Sequence, residues 1–331
     1  MSPSNSSFRV HIDSNPEDWN TNLFEGRLAP SIHLTFSEEV PRNAEFKVLV
    51  AGRPAEKLLK ASPELERVII PWAGLAAETR QKLLSHPHLT VHNLHHNAAA
   101  TAELGLALLL AAAKRLLPMD RSLRQGDWRP RYHGPYGVLL AGSRAAVVGY
   151  GHIGRRIAQY CQALGMEVSA TRRSIKDPYH DEGISIKPAE ALGQLLGSTD
   201  VLILCAPLTD ETRGMIGAME LATMPEDGIL INIGRGGLVD PWSLYNALAD
   251  VNLGAAGLDV WYQYPGNSEV QSDTRPSEAP FWELENVVMS PHRGGMIDET
   301  RSQRTEALIE LLNEAVAGEE PGNVVDVKRG Y

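Results

Sequence analysis

The sequence predicts an α/β protein made of two doubly wound parallel sheets, and three patterns carry that expectation. Short apolar or β-branched runs alternate with helical stretches through the first third of the chain. A second alternating series begins at Ala145 with AAVVGYG. Between the first strand and first helix of that series stands a glycine-rich turn, Gly149-Tyr150-Gly151-His152-Ile153-Gly154. At roughly 100–200 residues per domain, the 331 residues suffice for about two domains, each able to bury its own core.

In order, strands are expected at 8–12, 32–36, 46–51, 67–71 and 89–91. An Ala/Leu-rich helix should follow over 98–117; it holds one acid, Glu103, and ends near Lys114, Arg115 and Pro118. The polar segment 120–135 carries Arg121, Arg124, Trp128, Arg129 and Arg131. It reads as an interdomain crossing or dimer arm rather than a phosphate patch, because loops routinely bear such charge. The second series places strands at 145–148, 167–171, 201–205, 228–233, 254–260 and 287–290, with a helix over 155–164. Residues 264–280, rich in Pro, Gly and Ser, read as an exposed insertion or lid, and the amphipathic stretch 299–318 as a helix crossing back to the first domain. No solenoid-period repeat or low-complexity tract interrupts this plan.

Composition narrows the function classes. Lys+Arg number 31 against 41 Asp+Glu, a net charge of −10, which argues against a nonspecific nucleic-acid or anionic-membrane partner. With 43% hydrophobic and 22% charged residues the chain is too apolar for disorder. The longest strongly apolar run, 104–113, is about half a membrane span, and the opening MSPSNSSFRV lacks the pattern of a secretory leader. Cys161 and Cys205 form no CxxC and no disulfide framework, so a reducing cytoplasm is the expected compartment.

The glycine turn has the chemistry of a dinucleotide site. Gly149 allows the tight turn, Gly151 lets the backbone approach a pyrophosphate, and Gly154 permits close helix–strand packing. The helix that follows presents free N–H groups around His152 and Ile153 and the positive end of its dipole. About twenty residues on, an acid normally accepts from the ribose 2′-OH. Here the second strand runs into Thr171-Arg172-Arg173-Ser174, two guanidinium groups and two hydroxyls suited to clamping a phosphate. The expected cofactor is therefore NADP(H) in preference to NAD(H); the plain alternative is that these arginines are solvated surface charge.

Several motifs in order resemble the D-isomer-specific 2-hydroxyacid dehydrogenases across nearly the whole chain. PLTDETRGMI (207–216), INIGRGGLVD (231–240), GLDVW (257–261) and SPHRGG (290–295) are similar to the family's PLT-x-x-T-x-G, N-x-x-RG-x-LVD, LDV and PH segments. The resemblance implies a Rossmann nucleotide domain, 116–295, inserted in a flavodoxin-like substrate domain, 1–115 with 296–331, and a site between them. It implies that Pro207, Thr212, Ile233, Gly234, Asp259 and Gly294 lie along the cofactor. Arg235 then orients a small 2-oxo or 2-hydroxy acid such as glyoxylate or hydroxypyruvate, and His292 exchanges the proton. PWAGL (71–75) resembles the family loop whose backbone N–H groups bind the substrate carboxylate, which implies Ala73 and Gly74 as donors, while Trp72 either walls the pocket or fills the core. A homodimer is implied by the family alone.

The chain departs from the family where it matters for proton transfer. A glutamate usually stands five residues after the DV aspartate and pairs with the catalytic histidine; here that position is Tyr264. A phenol supplies no charge to raise the histidine's pKa, so His292 is expected to titrate lower than in relatives with the acid. Glu283 or Glu285 could enter instead from the preceding loop, and Ala76 stands where the family loop often carries Asp. Two alternatives follow from the missing acid: hydride transfer from formate, which needs no proton acceptor, and an NAD(P)H-sensing interaction protein with weak catalysis. The run His92-Asn93-Leu94-His95-His96-Asn97 has no ligand spacing that completes a metal site, and no metal is expected.

Overall fold

The computed structural model describes residues 7–42, 44–266, 268–319 and 321–331. The first six residues, on which part of the leader reading rests, and position 267 of the expected lid lie outside the described residues. The chain divides into two compact units: residues up to Asn97 together with Met296–Tyr331, and Ala98–Gly295. The first break thus falls ahead of the long helix rather than at 115, because that helix packs on strands of the second unit.

The first unit is a five-stranded parallel sheet of β1 (Phe8–Ile12), β2 (Ile32–Phe36), β3 (Val48–Val50), β4 (Arg67–Ile70) and β5 (Thr90–Asn93). Its order, β2-β1-β3-β4-β5, is the flavodoxin-like winding. Side chains alternate across the sheet, so Val48 and Val50 face one layer and Leu49 the other. Val10, Ile12, Val48 and Val50 pack with Leu308, Ile309, Leu311 and Leu312 of the helix Thr300–Ala317. On the opposite face Leu49, Val68 and Ile70 meet Leu58, Leu59 and Leu83 from the helices Glu56–Leu59 and Ala77–Leu84. Both faces are covered at the central strands β3 and β4, which is why those two read as near-continuous apolar runs.

The second unit is an eight-stranded sheet of β6 (Arg144–Val148), β7 (Glu167–Arg172), β8 (Tyr179–Asp181), β9 (Ile184–Pro188), β10 (Val201–Leu204), β11 (Ile229–Asn232), β12 (Ala255–Leu258) and β13 (Val287–Met289). The order is β13-β12-β11-β10-β6-β7-β9-β8, parallel throughout except for β8 against β9. The winding reverses between β6 and β10, the crevice where open α/β sheets take ligands. Val147, Ile203 and Ile231 bury against Leu108 and Leu109 of the helix Ala98–Ala113 and against Ile157 and Cys161 of the helix His152–Ala163. Ala146, Leu202 and Leu230 bury on the other side with Leu244 and Leu248.

Four local differences from the sequence reading stand out. The helix expected over 98–117 ends at Ala113, since Arg115 adopts φ 52°, and a new helix, Leu116–Arg124, starts behind it. Pro118 sits in the first turn of that second helix, where its missing N–H leaves no bond unmade, rather than acting as a stop. Much of the polar segment 120–135 is helical too, through Leu116–Arg124 and Arg129–Tyr132. The helix after the glycine turn begins at His152, not at 155, because Gly151 already occupies its N-cap. The β8–β9 hairpin was not expected; its turn residues Glu182 and Gly183 have φ of 50° and 85°, the left-handed pair of a tight two-residue hairpin.

Candidate active site

The glycine turn sits at the end of β6, at the winding reversal of the second sheet. Gly149 has φ 93°, and a Cβ there would lie 2.9 Å from the Ala206 nitrogen. A Cβ at Gly154 would lie 1.9 Å from the Gly149 carbonyl oxygen, so helix and turn meet without room for a side chain. At Gly151 nothing lies within 4 Å, leaving open the approach a pyrophosphate needs. The Gly149 and Tyr150 N–H groups both donate to the Thr171 carbonyl at 3.0 Å, which ties the turn to the end of β7. The N–H groups of Gly151, Ile153 and Gly154 have no protein acceptor among the described residues. His152 is exposed at the first helical position, its pKa lowered by desolvation and by Arg156.

The two arginines after Thr171 differ in surroundings. Thr171 is buried. Arg172 is exposed; its Nε donates to Ser174 Oγ at 2.9 Å and its Nη1 to Tyr179 Oη at 3.4 Å, and no carboxylate among the described residues pairs with it. Arg173 forms an ion pair with Glu211 in the loop after β10. That loop braces itself: Thr212 Oγ1 donates to the Pro207 carbonyl at 2.7 Å and accepts from the Thr209 N–H at 2.8 Å.

Arg235 and His292 follow β11 and β13, two strand ends on the same edge of the second sheet. Ile233 and Gly234 are buried below Arg235, and Arg235 Nη1 donates to the Gly234 carbonyl at 2.6 Å. Asn232 holds the turn from both sides, accepting from the Gly234 N–H at 3.1 Å and donating to the Arg235 carbonyl at 3.0 Å. Burial pushes the Arg235 pKa down and the Tyr264 phenol pulls it up; a guanidinium remains cationic under both influences.

His292 has φ 57°, a left-handed conformation that is rare for a residue other than glycine and costs about 1–3 kcal/mol. Asp259, 1% exposed, holds it there. One carboxylate oxygen accepts from Ser290 Oγ at 2.6 Å and the Arg293 N–H at 2.8 Å, and the other from the Gly294 N–H at 3.0 Å. Trp261 Nε1 adds a bond to the Ser290 carbonyl at 2.8 Å. In this structure Asp259 therefore anchors the histidine loop, with both oxygens engaged by the protein.

Tyr264 lies beside His292, with ring centroids 5.5 Å apart at 54°, and its Oη accepts the Trp261 N–H at 3.0 Å. No carboxylate among the described residues hydrogen-bonds to the imidazole; neither Glu283 nor Glu285 reaches it. Desolvation of the ring, followed by the Arg235 charge, holds the His292 pKa below the usual histidine value, with Asp259 acting in the opposite sense. Arg235, His292 and Tyr264 thus come together within the second unit: the Arg235 charge acts on both the imidazole and the phenol, and the two rings lie side by side.

In the first unit, the Trp72 ring covers Gly52, where a Cβ would fall 1.8 Å from the indole, and 38% of Trp72 remains exposed, so it does not fill the core. The buried Asn93 donates to the Ala73 carbonyl at 2.7 Å and fixes the loop. The Ala73 and Gly74 N–H groups meet no protein acceptor among the described residues. Asn232, Trp261 and Asn93 were missed as positioning residues; the asparagine at the head of N-x-x-RG was the one available signal. Among the described residues no group of three or more His, Cys, Asp or Glu is arranged to hold a metal ion. No helix of the described residues is long and apolar enough to cross a membrane.

The fold and these strand-end groups define a two-unit α/β protein with a dinucleotide-binding unit. Residues 106–294 match the family model of the D-isomer specific 2-hydroxyacid dehydrogenase NAD binding domain. The chain belongs to the D-isomer-specific 2-hydroxyacid dehydrogenase family. It is 36% identical over 230 residues to a glyoxylate reductase of Korarchaeum cryptofilum, covering 68% of this chain and 65% of that protein, so it spans just under two thirds of that relative. It is 32% identical over 276 residues to a glycerate dehydrogenase of Methylorubrum extorquens, covering 81% of each. Among solved structures, a D-isomer specific 2-hydroxyacid dehydrogenase of Xanthobacter autotrophicus in complex with NADPH and MES superposes with a TM-score of 0.79 at 25% identity, covering 98% of this chain and 100% of that one.

Proposed function

We propose that the protein is an NADP(H)-preferring reductase of small 2-oxo acids, glyoxylate and hydroxypyruvate being the model substrates. The observation that carries this reading is the Arg235–His292–Tyr264 group at the strand ends of a dinucleotide-binding unit. A bound reduced nicotinamide supplies the hydride for the substrate's carbonyl carbon. Arg235 offers a fork of donors to the carboxylate and the adjacent carbonyl oxygen, stabilising the charge that develops there. His292 gives a proton to that oxygen, and Asp259 keeps the loop in the geometry that presents the imidazole. The unpaired N–H groups of Ala73 and Gly74 are further donors for a carboxylate.

The preference for NADP(H) rests on Arg172. It carries no carboxylate partner among the described residues, Ser174 and Tyr179 orient it, and no acid occupies the end of β7. Arg173 is already neutralised by Glu211 and contributes less. A homodimer is supported by a run of exposed apolar side chains at Leu116, Leu123, Trp128, Tyr132, Tyr136 and Leu139, the last two 76% and 73% exposed. A cytoplasmic location fits two cysteines without a disulfide.

The test is a matrix of initial rates with NADPH and NADH against glyoxylate, hydroxypyruvate and bulkier 2-oxo acids, with formate oxidation and light-scattering mass alongside. Rapid NADPH oxidation by the short acids supports the reading. Formate oxidation alone, or cofactor binding with no turnover, replaces it with the formate-oxidising or the sensing alternative.

A further inference from the structure

We propose that Tyr264 is a further substrate-binding residue whose hydroxyl donates a hydrogen bond to the carbonyl oxygen of the 2-oxo acid, an assignment that rests on the reductase reading. The residues that place it, Arg235, Trp261, Pro276, Ser290 and His292, all belong to the second unit. Trp261 is their common strut. A Cβ at Gly236 would lie 2.3 Å from the Trp261 carbonyl oxygen, so the turn that carries Arg235 rests on this residue. The buried Trp261 reaches the Ser290 carbonyl through Nε1, two residues ahead of His292, and its backbone N–H donates to Tyr264 Oη at 3.0 Å.

The turn from Trp261 to Tyr264 is fixed on its other side as well. The N–H groups of Tyr262 and Gln263 both donate to the Pro276 carbonyl, at 3.1 and 3.0 Å. Tyr262 stacks on the fully buried Phe281, with ring centroids 6.4 Å apart at 13°. A braced backbone therefore holds the Tyr264 ring 5.5 Å from the imidazole, and 49% of the residue remains exposed. A ring so placed does not fill the core; it presents a polar tip from a rigid support.

The phenol has a donor to spare. Its oxygen takes the Trp261 N–H, while its own O–H meets no acceptor among the described residues. A donor feeding that oxygen polarises the O–H and strengthens it as a donor in turn. Desolvation, the largest influence, raises the phenol pKa above its ordinary value against the opposing pull of the Trp261 N–H and the Arg235 charge, so the group stays protonated near neutral pH. When hydride reaches the substrate carbon, the C=O π bond breaks and charge gathers on the oxygen, where a fixed neutral donor stabilises it. His292 supplies the proton that completes the product hydroxyl, and Tyr264 keeps its own.

Steady-state reduction of glyoxylate by NADPH in the full chain and in Tyr264→Phe, with pH profiles and with NADPH affinity from fluorescence titration, tests the assignment. The expected result is a fall of about 10²-fold in kcat, with KM for glyoxylate and the NADPH dissociation constant within about threefold of wild type and the His292 limb unmoved. Difluorotyrosine incorporated at position 264 keeps the ring and the Trp261 contact but ionises within the assayed pH range, so it should add a second alkaline loss of rate as the phenol gives up its proton. A wild-type kcat in Tyr264→Phe, a loss of rate that only tracks lost NADPH affinity, or a fluorinated protein with the wild-type pH profile overturns the assignment and leaves the reductase reading standing. Wild-type protein that reduces no 2-oxo acid overturns both.

Discussion

Replacing Tyr264 by glutamate should raise the pKa of His292 and carry reductase activity to higher pH. The phenol and imidazole rings are 5.5 Å apart, and no carboxylate among the described residues hydrogen-bonds to the imidazole. A carboxylate at about that distance interacts with an imidazolium by about 3 kcal/mol at an effective dielectric of about 20, close to two pKa units. Arg235 takes part of the new charge, so a shift of about one to two units is expected. The sign follows from the role: His292 must be protonated to act as the acid of reduction, its wild-type pKa lies below the usual histidine value, and the protonated fraction is lost as pH rises through that pKa. The alkaline limb of kcat/KM for NADPH-dependent glyoxylate reduction should therefore move upward in Tyr264→Glu, while Tyr264→Phe, which retains the ring, leaves the limb within about half a unit. A limb that stays in place in Tyr264→Glu while an NMR titration of His292 does move would show that the imidazole is not the acid. If neither moves, the tyrosine does not tune it.

Three further outcomes follow from the same geometry. Arg172→Asp removes the unpaired cation beside Ser174 and Tyr179 and should lower the ratio of NADPH to NADH efficiency by about 10²-fold, the value of one or two charge-assisted hydrogen bonds; an unchanged ratio would mean that Arg172 does not read the 2′-phosphate. Gly154→Ala forces a Cβ against the Gly149 carbonyl and should cost at least about 1–3 kcal/mol and abolish cofactor binding, measured by urea melts and calorimetry; near-wild-type binding would contradict the packing described for the turn. His96 has a folded pKa of about 4 against 6.5 for the free side chain, so the unfolded chain binds the extra proton and stability is lost as pH falls from 6.5 towards 4. The unscreened limit of that loss is about 3 kcal/mol, reduced by the ring's partial exposure. The difference in urea midpoint between wild type and His96→Gln should therefore depend on pH over that window, and a pH-independent difference would refute it.

Much of this architecture is legible in one dimension because it depends on local pattern. The apolar runs of β1–β7 and β10–β13 sit largely under cover, so each reads as a strand to within a residue or two. The β8–β9 hairpin escaped because β8 is a short, polar edge strand, β9 ends in Pro188, and the turn is Glu-Gly rather than the stronger Asn-Gly. Arg115 broke the long helix for a similar reason: nothing in its side chain announces a left-handed backbone. Arg235, His292 and the Tyr264 position came from motif spacing. The groups that hold them, Asn232, Asp259 and Trp261, act through backbone hydrogen bonds formed only once β11, β12 and β13 lie side by side. The guanidinium of Arg304 lies over the Trp19 ring, a contact between opposite ends of the chain that no spacing rule could have joined.

The central claim is that Arg235 and His292 act together on a 2-oxo acid beside a bound nicotinamide. Single-turnover oxidation of NADPH by glyoxylate, followed at 340 nm in wild type, Arg235→Gln and His292→Gln, tests it most directly. The account predicts a fast wild-type transient that slows by about 10²–10⁴-fold in each variant with NADPH affinity retained. Wild-type protein that binds NADPH but yields no transient with any 2-oxo acid, or variants that turn over at the wild-type rate, would contradict it.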